Sequence, residues 1–314
     1  MRINRINKLT SWGLFFLVVI IYLCPLLDLC AQENDSSSKA SDYRQKLDRV
    51  VVVEEEFYSQ DMDNYIRYLP SRGVAAQSGK VAVVDSAMEY SYTIKAFDQL
   101  PVEFALGTRY IGLTNTTAVE LPAHLTTIFI GAETTLPFFN IKNTYFTIGL
   151  APVFDADNWS IRSSALCLTQ RYFFIYQVNN KLVLIAGVSV SPHEEDAVMP
   201  LLGFIYKPND RLTFNITPKQ PEISYVLTKK LTIFGQADVT MNEYRVAKDG
   251  IKNTALIYNE IHAGVGLRCK VNKHIISSVS VGEAFNRAIK YRDYYGKVVV
   301  NNGMYAEFRV DVRI

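Results

Sequence analysis

The amino-acid sequence predicts an all-β chain that closes into an antiparallel up-and-down transmembrane β-barrel of about fourteen strands (12–14). Three observations carry that expectation. The chain ends in a strictly alternating strand, its predicted strands are joined by connections that alternate between tight and long, and its N-terminus reads as an export signal.

The terminal strand is the clearest element. From Met304 every second residue is apolar (Met304, Ala306, Phe308, Val310, Val312, Ile314), while Glu307, Arg309, Asp311 and Arg313 fall between them. Side chains of a strand point alternately to its two faces, so this segment has one oily and one ionised face. In a membrane barrel the first meets lipid and the second lines the interior.

The same rhythm recurs upstream. Met88, Tyr90, Tyr92, Ile94 and Ala96 oppose Glu89, Ser91, Thr93 and Lys95, and Val102, Phe104 and Leu106 oppose Glu103, Ala105 and Gly107. Ile261, Ala263, Val265, Leu267, Cys269 and Val271 oppose His262, Gly264, Gly266, Arg268 and Lys270. In Leu231–Val239 the alternation holds except at Phe234. Strand-like runs are read at about residues 50–58, 81–97, 102–112, 125–137, 144–154, 160–178, 181–191, 198–207, 211–217, 222–228, 231–243, 256–271, 274–284 and 303–314. The second half of 160–178 is apolar on both phases, which leaves its orientation open.

Connections supply the topology. Asp98-Gln99, Asn179-Asn180, Pro208-Asn209-Asp210, Lys229-Lys230 and Asn272-Lys273 are tight and rich in turn formers. The connections 59–80, 113–124, 155–159, 192–197, 244–255 and 285–302 are longer, with 218–221 the shortest of the long set and 138–143 the longest of the short one. Short turns on one side and long loops on the other are the habit of outer-membrane barrels, with both termini on the short-turn side. Closure then sets the first strand beside the last and predicts Glu54 and Glu56 opposite Arg309 and Arg313.

Residues 1–31 read as a cleaved signal peptide. Arg2, Arg5 and Lys8 precede an apolar run from Trp12 to Leu27, and Ala31 offers a small residue at the cut. Pro25 and Asp28 shorten the run below the ~20 residues of a spanning helix. Residues 32–49 are polar and serine-rich, expected to be disordered in the periplasm, and residues 50–314 form the barrel. The whole chain holds 33 basic and 31 acidic residues, but the leader contributes three of the former and one of the latter, so the mature chain is balanced at 30 each. That balance gives no support to a nucleic-acid partner. Only Cys167 and Cys269 lie beyond the leader, too few for a disulfide scaffold, and their pairing is left open.

The search for chemistry yields little. None of His124, His193, His262 and His274 lies in a metal-binding or nucleophile motif, and no phosphate-cradling glycine loop occurs. His262, on the polar face of its strand, is the only residue worth testing as a hydrolase base, and a structural role is the more economical reading. His193-Glu194-Glu195-Asp196 reads as a solvated acidic loop. Asp61-Met62-Asp63-Asn64 and Asp155-Ala156-Asp157-Asn158 repeat a pattern of spaced oxygen donors, but lack the remaining ligands of a calcium loop. No catalytic residue, cofactor or metal is therefore assigned. The lumen-lining charges are taken as Glu103, Arg268, Lys270, Glu307, Arg309, Asp311 and Arg313.

Pro200-Leu201-Leu202-Gly203-Phe204-Ile205-Tyr206-Lys207-Pro208-Asn209-Asp210-Arg211-Leu212, followed by Pro221-Glu222-Ile223-Ser224-Tyr225, resembles bacterial outer-membrane β-barrel proteins of uncharacterised families, known only as barrel-forming domains of unknown function. The resemblance covers about residues 50–314 and implies no catalytic residues. It implies residence in the outer membrane of a Gram-negative-type bacterium, contact with outer-membrane lipid, and recognition of the C-terminal strand by the barrel-assembly machinery. Such strands usually end in an aromatic residue; here the end is Ile314, with Tyr305 and Phe308 nearby. Fourteen strands enclose a bore between those of small filled barrels and of wide porins. The leading expectation is a passive pore or transporter for small solutes. The alternative is a non-conducting barrel with a filled lumen whose outer loops hold a surface ligand or partner.

Overall fold

The computed structural model describes residues 60–96, 100–139, 141–158, 163–192, 197–217, 220–248, 251–292 and 296–314. They form one closed antiparallel barrel. Its strands are β1 (Gln60–Gly73), β2 (Lys80–Ala96), β3 (Leu100–Asn115), β4 (His124–Pro137), β5 (Thr144–Ala156), β6 (Leu166–Asn179), β7 (Leu182–Val190), β8 (Val198–Tyr206), β9 (Leu212–Ile216), β10 (Glu222–Val226), β11 (Leu231–Lys248), β12 (Ile251–Lys270), β13 (Ile275–Tyr291), β14 (Lys297–Val300) and β15 (Gly303–Arg313). Both β14 and β15 pair with β13 in continuous register, Arg287 opposite Val300 and Ala284 opposite Gly303, so they are two lengths of one stave and the wall has fourteen.

Closure joins the first strand to the last. Asp61 lies opposite Arg313 and Arg67 opposite Glu307, and Gln60 and Ile314 exchange backbone hydrogen bonds of 3.2 and 2.8 Å. The closing strand is thus β1, in a segment expected to be a loop. Its polar start, Asp61-Met62-Asp63-Asn64, hides the alternation that Tyr65, Arg67 and Leu69 continue on the inner face. The expected strand 50–58, with Glu54 and Glu56, lies outside the described residues, as do the leader, the segment 32–49 and all of His193–Asp196. The expected long loops 244–255 and 285–302 are shorter than predicted, because β11, β12 and β13 run on through much of them.

The outer surface is apolar. Ile66, Met88, Leu106, Ile130, Leu150, Leu168, Leu184, Leu202, Ile223, Val239, Val265, Val281 and Met304 all project exposed from the wall. So large an exposed apolar surface on a closed sheet is what a hydrocarbon solvent requires. At the tight-turn end it carries an aromatic band. Phe138 and Phe146 pack on Phe174 at 5.0 and 4.8 Å between ring centroids, and Tyr206 stacks on Phe214 at 6.2 Å. No helix among the described residues is long and apolar enough to cross a membrane.

The wall is uneven in height. β11 and β12 have 18 and 20 residues, β7 and β8 nine each, and β9 and β10 only five. Above the short strands the tall walls meet. β5 and β11 pair in parallel at Ala156 and Arg245, reinforced by the Asp157 backbone N–H donating to Arg245 O (3.4 Å) and by the Ala247 N–H donating to Asp157 Oδ2 (3.0 Å). At the opposite join Val74 bridges Val300. The loop end is therefore a ring of nine staves (β1–β5, β11–β14) set on a base of fourteen.

Nine staves enclose little more than the bore that side chains fill in an eight-stranded barrel, and here they fill it. Leu69, Val81, Val83, Ile111, Leu125, Tyr244, Val246, Leu256, Ile289 and Val298 point inward and form one buried apolar cluster. A second, smaller one, Ile175, Val183 and Ile205, sits inside the low wall. It resolves the ambiguous end of the 160–178 run: Phe173 and Ile175 face in, while Phe174 and Tyr176 face out.

Candidate functional site

Beneath the apolar closure lies a layer of buried charge, built by the inner faces of β1, β2, β3, β11, β12, β13 and β15. Arg67 is its centre, only 1% exposed. Alternation sends Ile66 to lipid and Arg67 inward, where the register sets it against Glu307. Its Nε and Nη2 lie 2.7 and 2.6 Å from Glu307 Oε2, Nη2 donates to Asp238 Oδ2 at 3.0 Å, and Nη1 lies 3.5 Å from Asp85 Oδ2. The rings of Tyr65 and Tyr305 flank the guanidinium at 5.4 and 5.5 Å.

Nη1 also lies 2.9 Å from His262 Nδ1. An arginine can only donate, so Nδ1 is the acceptor of that contact, and Nε2 lies 3.5 Å from Glu260 Oε2. Buried and in contact with Arg67 through Nδ1, His262 packs as part of the layer. Around this centre Arg109 grips Asp85 with both arms (2.9 and 2.8 Å) and reaches Thr240 Oγ1 at 3.1 Å. Arg287 and the Tyr258 hydroxyl both donate to Glu260. With Arg309, 3.2 Å from Glu307 Oε1, the layer sets four arginines (67, 109, 287, 309) against four carboxylates (85, 238, 260, 307). Burying so many ions is tolerable only because each is paired.

The charges expected to line the lumen fall as follows. Glu307 and Arg309 are inside this layer. Arg268 is bound two-handed by Glu222 (3.1 and 2.6 Å) and lies 4.6 Å over the ring of Phe234. Phe234, the residue that interrupts its strand's alternation, faces inward as the platform for that arginine. Arg313 Nε is 3.9 Å from Asp61 Oδ1 near the tight-turn end. Asp311 lies opposite Asp63, Lys270 opposite Ile276, and Glu103 opposite Glu133, each half-buried on the inner face of its strand.

The strongest members of the layer, Arg67, Asp85, Arg109, Asp238, Glu260 and Arg287, lie outside the set of lining charges that the sequence predicts. The available signal was a lone ionised residue in an apolar run, as in Val81-Ala82-Val83-Val84-Asp85 and Leu256-Ile257-Tyr258-Asn259-Glu260. Asp61 and Asp63, expected in a loop, stand on β1; Asp155, expected likewise, lies within β5, next to its last residue, and accepts from Thr127 Oγ1. Among the described residues no group of acids, histidines and cysteines could hold a metal ion.

Residues 105–314, which include most of this layer, match the model of a domain of unknown function, DUF6268. The chain belongs to the DUF6268 family. β1, β2 and the start of β3, with Arg67 and Asp85, precede the matched region. No curated protein sequence matches this DUF6268 chain. Solved structures similar to it include the COG4313 outer membrane channel from Pseudomonas putida F1, at 8% identity over 83% of this chain and 97% of that one (TM-score 0.47). A FadL homologue from Pseudomonas aeruginosa is 9% identical over 82% and 89% (TM-score 0.43). The KdgM porin in complex with disordered oligogalacturonate is 10% identical over 80% and 98% (TM-score 0.34).

Proposed function

We propose that this DUF6268 protein is an outer-membrane transport barrel for small solutes, open towards its tight-turn end and sealed along its axis at the loop end. The observation that carries the reading is the β5–β11 seam, which reduces fourteen staves to nine and lets side chains fill the ring. A general diffusion porin keeps its axis clear; this barrel does not. Residence in an outer membrane is supported by the closed wall, its apolar outer face and its aromatic band. The reading includes export through the 1–31 leader and delivery by the assembly machinery through β15.

Planar-bilayer recording of the refolded protein tests the seal. The expected trace lacks a steady, porin-sized conductance, and a persistent ohmic current in the wild type would overturn axial closure. The buried charge layer favours a second reading, a non-conducting barrel that presents its loops to a partner. Absence of flux for every class of small solute in loaded vesicles would favour it.

A further inference from the structure

The two shortest strands leave a breach in the wall, and its rim and floor have different chemistry. β9 pairs with β8 only from Phe204 to Tyr206, and β10 with β11 only up to Gln236, extended by the Ala237 N–H donating to Pro221 O at 2.9 Å. Among the described residues no strand pairs with β8 above Phe204 on that side, nor with β11 between Ala237 and Arg245.

The breach lies within the apolar belt. Val239 and Met241 still project exposed from β11, while Ile223, opposite Gly235, is the last apolar outer residue of β10. From Gly235 to Met241 is about 20 Å along the strand, so the belt continues well above the top of β10. Across the gap Leu202 of β8 is 77% exposed. Hydrocarbon therefore reaches the rim from outside.

The β8 edge is also disarmed against strand addition. Odd-numbered residues at the ends of β8 bond to β7, since Lys207 N–H donates to Lys181 O and Ala197 O accepts from Ser191 N–H. Even-numbered residues then point their backbone into the breach, and Pro200 has no N–H to offer there. A proline at an open edge is a device that prevents another strand from pairing.

The floor is polar and leads inward. Arg309 Nη1 donates to Gln220 Oε1 (3.3 Å), and Gln220 Nε2 donates to Gln236 Oε1 (3.2 Å). Gln220 belongs to the β9–β10 connection, so this chain runs from the charge layer to the sill. On the β7 and β9 sides the inner face carries Ser189, Thr213 and Asn215, whose Oδ1 is buried without a hydrogen-bond partner.

We propose that this breach is a lateral doorway for a single-chain amphiphile, its apolar tail passing between Leu202 and Val239 and its hydrogen-bonding head held inside by Gln220 and Arg309. The inference rests on the axial seal, because a molecule that leaves the lumen needs another exit. It goes further in naming the exit and the class of cargo.

The test uses tryptophan fluorescence of the whole barrel in vesicles, with Trp159 replaced by Phe. Single tryptophans are placed on the inner face beside the breach, as S189W or T213W, and on the inner face of the tall wall, as A87W or A105W. The probe is 11-bromoundecanoate, with 11-bromoundecanol as its uncharged counterpart. Quenching at Ser189→Trp or Thr213→Trp at least threefold stronger than at the tall-wall positions, and removed by unlabelled undecanoate, supports the doorway. Weaker quenching by the alcohol assigns the anionic head to Arg309, and equal quenching assigns a neutral one to Gln220. Equal quenching at all four positions means entry from the wide end and overturns the proposal, as does quenching at none. Conductance of the same preparations keeps the two readings separate: a steady current defeats the axial seal, whereas a silent bilayer without selective quenching defeats only the doorway.

Discussion

Replacing Arg67 by methionine tests the charge layer where it is most densely coupled. The substitution conserves much of the stem and removes the fork that holds Glu307, Asp238 and His262 and lies 3.5 Å from Asp85. Asp85 keeps both hydrogen bonds from Arg109, and Glu307 keeps Arg309 at 3.2 Å. The Asp238 side chain is 23% exposed and recovers some hydration. The loss is thus concentrated on the buried Glu307 contact, and breaking such a pair from one side costs about 3–5 kcal/mol. With a urea slope of about 3 kcal/mol/M, the unfolding midpoint of the barrel in phospholipid vesicles should fall by about 1–1.7 M. The readout is the difference in gel migration between folded and heat-unfolded protein across a urea series. Arg67→Lys, which keeps the charge without the fork, should fall between wild type and Arg67→Met. Adding Glu307→Gln to Arg67→Met should cost less than the sum of the single changes, by about 0.5–3 kcal/mol. An unchanged midpoint for Arg67→Met, or strict additivity of the pair, would refute the coupled layer.

Other expectations address the wall and the seam. Val265, 60% exposed, would tolerate arginine if it met water; facing hydrocarbon, Val265→Arg should cost about 2–4 kcal/mol in the same titration. Gly264 and Gly282 lie opposite each other, and a Cβ at Gly282 would come within 2.1 Å of Ala263 O and 2.7 Å of the Tyr305 ring. Gly282→Ala should therefore destabilise by about 1–3 kcal/mol, measured as a lower urea midpoint. Asp157→Ala removes the acceptor for the Ala247 N–H at the seam and should cost about 1.5–3 kcal/mol there, seen as brief current bursts in bilayer recordings that the wild type lacks.

Parts of the barrel were legible because their two faces meet different media. β15 alternates strictly, oil to lipid and charge to lumen, so its sidedness can be read directly from Met304–Ile314. The tight turns were legible for a local reason: Asn179, Asn209 and Asn272 each accept hydrogen bonds from backbone N–H groups two and three residues on. Alternation disappears where both faces are apolar, and that is how the filled ring is made. Val81-Ala82-Val83-Val84 and Ala255-Leu256-Ile257-Tyr258 send residues inward to the core and outward alike, so they read as featureless oily runs. The seam is less legible still. It depends on Ala156 meeting Arg245 across five intervening strands, a contact with no local pattern. β1 carries no readable alternation at its start, where Asp61, Asp63 and Asn64 put polar side chains on both phases, and its role as the closing stave depends on partners 238 to 252 positions away.

The unequal walls also act on their surroundings. Beside β11 and β12, of 18 and 20 residues, the apolar flank is tall, whereas beside the five-residue hairpin strands it spans far less. Lipids there must thin or tilt, at a fraction of a kcal/mol for each ångström of mismatch. A dimple of disordered acyl chains would then travel with the protein on one flank only, giving an otherwise cylindrical body a preferred heading among its neighbours in the membrane plane.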